Sequence, residues 1–284
     1  MSVGQSDLVS HLCLLLSAYV TPQVGFFRAT MQISDIRIFK NFLLLSDAYD
    51  SLHLLVYRES DKSLTLLAKE YEPVAIYAAG LLSRGPSVTF LCHDDRQNLQ
   101  FLQYAPGEAA ARGGNKLVSR ADIHLGTQTI EFGNHFCRNS LLVHSATPTS
   151  TLAALHQQDS YFGRADDDQR ISVHYGTTDG TLGAVVPLSE PVFWRLAALQ
   201  SVLANALEPN CGLSPRAWRL YRRCARRGGC RSNDRKKSVI DGDLVRHYCN
   251  LSMREQEDLA SAVGSTVDAI LDNLLELQCG SFMV

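Results

Sequence analysis

The sequence predicts a mainly β chain with an α-helical C-terminal domain: a partial β-propeller of WD40-like blades followed by a small helical bundle. Three observations carry this expectation. Short apolar runs separated by polar turns fill the body from Ile36 to about Leu188. One of these units recurs after 47 residues. From Ser189 onward the apolar period changes from that of a strand to that of a helix. The expected boundaries are an unassigned segment at 1–26, the C-terminal part of a propeller at 27–188 and a helical domain at 189–284.

Within residues 1–26, the apolar stretch Leu12 to Val20 is too short to cross a bilayer, and no Lys or Arg precedes it as a secretory signal requires. It reads as a buried helix or strand. The runs Phe42 to Leu45, Leu52 to Tyr57 and Leu64 to Leu67 have strand length, and the turns around Asp47 and Asp61 separate them. Placing Asp47 on Asp94 superposes Leu52 on Leu99, Leu54 on Phe101 and Tyr57 on Tyr104. A weaker third copy spans His174 to Val186. A period of roughly 40–50 residues built from short strands is the mark of propeller blades, with a β-sandwich as the alternative.

Between Phe136 and Gln169 the periodicity fades, and Ser145 to Thr151 with Arg164 to Asp168 reads as an exposed excursion between two strands. Helices follow. Pro191 suits a first turn, and Val192, Leu196, Leu199, Leu203 and Leu207 share one face. A second helix is expected near Pro215 and a third over Leu244, Val245 and Tyr248. Ser252 with Glu255 opens a fourth as a capping box, and Ser265 with Asp268 offers a similar start to a fifth, with Gly280 as its terminator.

With 45% apolar and 20% charged residues and a net charge of −2, the chain is a folded globular protein without general attraction for nucleic acid. The eight cysteines lack paired spacing and read as reduced thiols of cytosol or nucleus. No phosphate-binding glycine loop, nucleophile elbow or zinc-protease helix is present, so no catalytic residue, cofactor or metal is expected. Cys211, Cys224, Cys230, His247 and Cys249 gather in one region but lack the close pairs that tetrahedral zinc requires. The histidines at 124, 135, 144 and 174 read as surface or satisfied core residues, and the Asp166 to Asp168 run as a solvated loop.

One local charge feature stands out. Ten basic residues occupy the 22 positions from Arg216 to Lys237, with Asp234 as the only acid. Within it Arg222, Arg223, Arg226, Arg227, Arg231, Arg235, Lys236 and Lys237 are the candidate contacts for RNA or for a partner protein. A solvated loop, an acidic partner and RNA all remain open for this segment. Trp218 and Tyr221 accompany it, as core residues or as stacking platforms.

The stretch from Val186-Pro187 to Arg219 includes Phe193-Trp194-Arg195-Leu196 and Leu213-Ser214-Pro215-Arg216-Ala217-Trp218-Arg219. Together with Ile240-Asp241-Gly242-Asp243-Leu244 and Ile270 to Glu276, it resembles the C-terminal region of the largest-subunit family of the cleavage and polyadenylation specificity factor. Upstream, Ile38 to Phe42, Ser51 to Arg58, Ser63 to Leu66 and Arg120 to Gly126 look like the same family in order. The resemblance covers about Phe27 to the C-terminus. It implies a nuclear, non-catalytic scaffold in pre-mRNA 3′-end processing, without a cofactor. Its partners would be the other subunits of that factor, and pre-mRNA directly or through them. The superfamily also holds a splicing-factor subunit and a ubiquitin-ligase adaptor, and these are the alternatives. Members are several times longer, with three propellers, so the resemblance implies a fragment, a partial gene model or a short isoform beginning inside the last one. The Arg222 to Lys237 segment is richer in Arg and Cys than the family pattern.

Overall fold

The computed structural model describes residues 26–29, 32–84, 87–138, 169–207, 212, 214–219 and 239–281. The N-terminal apolar stretch, the excursion between residues 139 and 168, and the basic segment beyond Arg219 lie outside them. The chain divides into two compact units, Met1–Ala79 with Tyr104–Val118, and Gly80–Gln103 with Ser119–Val284.

In the first unit, β1 (Ile33–Phe39), β2 (Phe42–Asp47), β3 (Ser51–Arg58) and β4 (Ser63–Lys69) form an antiparallel meander in chain order. The inner strands β2 and β3 bury Leu44, Leu45, Leu52, Leu54 and Leu55, neighbours in sequence that point to opposite faces. This is why their apolar runs are continuous rather than alternating. Asp35 in β1 accepts the backbone N–H of Ala79 at 3.1 Å and pairs with Arg37 at 3.0 Å. The loop through the short 3₁₀ turn Ala109–Ala111 returns to the sheet by a parallel bridge between Lys69 and Lys116.

The second unit carries most of a second sheet, ordered β5 (Ile76–Arg84), β6 (Ser87–Asp94), β7 (Asn98–Gln103) and β8 (Val118–His124). It also holds a three-stranded sheet of β9 (Thr129–Arg138), β10 (Gln169–Thr177) and β11 (Leu182–Val185), with β10 in the middle.

The 47-residue repeat has a physical basis in its turns. Asp47 ends β2 and its Oδ1 accepts the N–H groups of Tyr49 (2.9 Å) and Asp50 (3.2 Å). Asp94 ends β6 and its Oδ1 accepts those of Arg96 (2.9 Å) and Asn98 (2.8 Å). Each turn is closed by a carboxylate that satisfies amides the ladder leaves orphaned. Each also passes through a non-glycine residue at positive φ, Ser51 at 68° and Gln97 at 64°. In the third copy Thr177 takes the aspartate's place, its Oγ1 accepting from the Thr181 N–H at 3.1 Å.

Among the described residues five helices follow: α1 (Glu190–Ala206), α2 (Pro215–Arg219), α3 (Gly242–Arg246), α4 (Met253–Val263) and α5 (Val267–Ser281). The expected apolar face of α1 is the one that packs. Leu196, Leu199 and Leu203 are fully buried in one core with Val245, Tyr248, Ala260, Ile270 and Leu274. Tyr248, in the 3₁₀ turn His247–Asn250, donates its hydroxyl to the Gln256 carbonyl at 2.9 Å. The Gln256 amide returns a bond to the Tyr248 carbonyl at 3.0 Å, so neither buried polar group is orphaned.

The helix ends partly follow expectation. Ser252 and Glu255 form the full capping box on α4, and Gly264 ends that helix in the left-handed region at φ 74°. On α5 the expectation of Ser265 is corrected. Thr266 sits one residue before the helix and its Oγ1 accepts the Ala269 N–H at 3.3 Å. Two adjacent hydroxyl residues offer the same local pattern, and only the helix phase separates them. Gly280 does not terminate α5, which continues to Ser281.

Candidate functional site

Pro215–Arg219 folds into α2, which Ser214 opens by accepting the Trp218 N–H on its carbonyl at 3.0 Å. Two consecutive side chains leave this helix for different purposes. Trp218 packs its ring against the edge of His124 at 4.9 Å, at an interplanar angle of 79°. It also lies over Gly126, whose backbone has φ +81° and where a Cβ would stand 2.6 Å from the indole. Glycine is required there twice, for its dihedral and for the ring.

Arg219 makes the central contact. Its Nε donates to Asp241 Oδ2 at 2.7 Å, and one terminal nitrogen donates to Asp241 Oδ1 at 3.3 Å and Asp243 Oδ2 at 2.8 Å. The other terminal nitrogen reaches the carbonyl of His124, at the end of β8, at 3.3 Å. The fork geometry of guanidinium makes the two-pronged grip on Asp241, which an ammonium cannot copy. Burial pulls the Arg219 pKa down, but the Asp241 hydrogen bonds and the charges of Asp241 and Asp243 outweigh it, leaving the group above its ordinary value.

Asp241 is fixed from its own side. Its N–H donates to Gln200 Oε1 on α1 at 2.7 Å, and its carboxylate caps α3 by accepting the Asp243 N–H at 3.1 Å. The phrase Asp241-Gly242-Asp243-Leu244 therefore has a division of labour. Asp241 caps and grips, Asp243 adds a second carboxylate, and Leu244 is buried.

The clasp continues into the sheet. Asp94 Oδ2 accepts from Asn98 Nδ2 (3.0 Å) and Gln100 Nε2 (2.9 Å). With its amide thus donating, Asn98 Oδ1 is left to accept, and His124 Nδ1 stands 3.0 Å away as the donor. Burial lowers the His124 pKa, Asp94 opposes and Arg219 adds to the lowering. The turn aspartate of the second repeat is thus connected, through Asn98 and His124, to the arginine that grips the helical region.

Beside the clasp lies a cleft of about 850 Å³. Leu182 to Leu188 form one wall, Phe193 and Trp194 of α1 another, and Leu274 and Leu277 of α5 contribute to it. Leu182 is 68% and Trp194 62% exposed, so large apolar side chains stand at this cleft uncovered. A smaller hollow of about 410 Å³ lies by Arg246, His247 and Cys249.

Among the described residues, no three His, Cys, Asp or Glu side chains gather as metal ligands, and no helix is long and apolar enough to cross a membrane. Cys92 is a buried cysteine and Cys249 an exposed one, and neither is in a disulfide. Cys211, Cys224 and Cys230 lie outside the described residues. His124 and His174 are buried, on β8 and β10.

All eight candidate contact residues, Arg222, Arg223, Arg226, Arg227, Arg231, Arg235, Lys236 and Lys237, lie outside the described residues. Arg219, which by charge count belongs to the same basic run, is not available to phosphates because two carboxylates occupy it. Trp218 is neither a core residue nor a free platform: it is 43% exposed, with its ring seated on Gly126 and His124. The clasp and the cleft escaped sequence reasoning. The one available signal was that two of the family-like phrases, Leu213 to Arg219 and Ile240 to Leu244, contain an arginine and two aspartates of opposite charge.

The family described as "CPSF A subunit region" matches residues 22–250, a span that includes both halves of the clasp. The chain is 32% identical over 261 residues to "Cleavage and polyadenylation specificity factor subunit 1" of Arabidopsis thaliana, covering 91% of this chain and 16% of that protein. It is 28% identical over 255 residues to the Drosophila melanogaster protein of the same name, covering 90% of this chain and 16% of that one. It is 27% identical over 239 residues to "Protein cft1" of Schizosaccharomyces pombe, covering 84% of this chain and 15% of that protein. The chain thus spans about one sixth of the length of these relatives, and by the extent of the family match it belongs to the CPSF A subunit family.

Proposed function

We propose that the chain is a non-catalytic scaffold subunit of the nuclear machinery that cleaves and polyadenylates pre-mRNA 3′ ends. In this reading it needs no cofactor and supports recognition of the poly(A) signal by holding the other subunits of the specificity factor. The observation that carries the reading is the coincidence of the family phrases with the Arg219–Asp241 clasp, backed by relatives whose names place them in that factor. Residues spent on holding the chain's own parts together are those a scaffold requires.

Under the same proposal, residues 27–188 are the C-terminal part of a β-propeller and 189–284 its helical domain, with 1–26 unassigned. Strand order within each sheet and the aspartate-closed turn at a 47-residue spacing support this assignment. Affinity purification from nuclear extract followed by mass spectrometry tests the function. Recovery of polyadenylation-factor subunits is the expected result. Recovery of a cullin, or of splicing-factor subunits, in their absence assigns the chain to a sister branch instead.

A second reading rests on charge density alone. Eight of the 16 residues from Arg222 to Lys237 are Arg or Lys, and this segment contacts pre-mRNA phosphates. Replacing Arg222, Arg223, Arg226 and Arg227 by alanine then weakens RNA binding and flattens its dependence on salt. Binding that does not change removes this reading and leaves the scaffold proposal intact.

A further inference from the structure

We draw no further inference here: the strongest candidate, the apolar cleft of the second unit beside β11, at whose walls Leu182 and Trp194 stand exposed, carries none because nothing in the structure shows what covers it.

Discussion

Gly126 and His93 show how single positions set the stability of the second unit. At Gly126 an alanine meets two obstacles, a positive φ and the Trp218 indole. The Gly126→Ala variant should lose about 2 kcal/mol in urea denaturation. Gly107→Ala, where no atom lies within 4 Å of the added Cβ, is the control and should change little. His93 is fully buried in β6, and burial lowers its pKa from 6.5 to about 4, with Asp94 opposing. The unfolded chain therefore binds a proton that the native state refuses, so stability present above pH 6.5 is lost as pH falls towards 4. At pH 5 this one residue costs about 2 kcal/mol relative to pH 7.5. The His53 and His124 pKa values are also lowered, mainly by burial, and act with the same sign. The contribution of His93 is thus isolated by difference: His93→Gln should show a shallower loss between pH 7.5 and pH 5, and an unchanged slope would exclude it.

Among the elements, the helices were the most legible. The buried face of α1 follows its 3.6-residue apolar period, because a helix packed on one side must present that side to the core. The capping box of α4 was legible for a local reason, since both partners lie within four residues. Ser252→Ala should therefore cost about 1 kcal/mol, and Thr266→Ala a similar amount at the start of α5. Ser265→Ala should be nearly silent, and thermal melts of the three variants decide between the two caps. The strands were legible as apolar runs, and the aspartate turns explain why the repeat could be seen at all. A carboxylate closing a tight turn fixes the spacing between flanking strands, so the sequence keeps its period. The α2 helix shows the limit of such reading. Its start was visible at Pro215, but nothing local indicates that Trp218 seeks Gly126 or that Arg219 seeks Asp241.

At the scale of the second unit, the clasp joins groups distant in sequence: Asp94, Asn98 and His124 from the sheet, Arg219 from α2, and Asp241 and Asp243 before and within α3. Charge counting assigned Arg219 to a basic run able to meet phosphates, because composition has no access to which charges have already found partners. The cleft escaped for the same reason, as its walls come from β11, α1 and α5. The central claim is that the Arg219–Asp241 ion pair, carried by two family-like phrases, fastens α2 to the start of α3 while Arg219 also bonds the sheet at the His124 carbonyl. A double-mutant cycle on Arg219→Ala and Asp241→Ala, read by urea denaturation, tests it most directly, since the loss of the α3 cap by Asp241→Ala cancels within the cycle. The account predicts that each single variant loses about 2–3 kcal/mol and that the pair couples by at least about 1.5 kcal/mol. Additive losses, with coupling near zero, would contradict it.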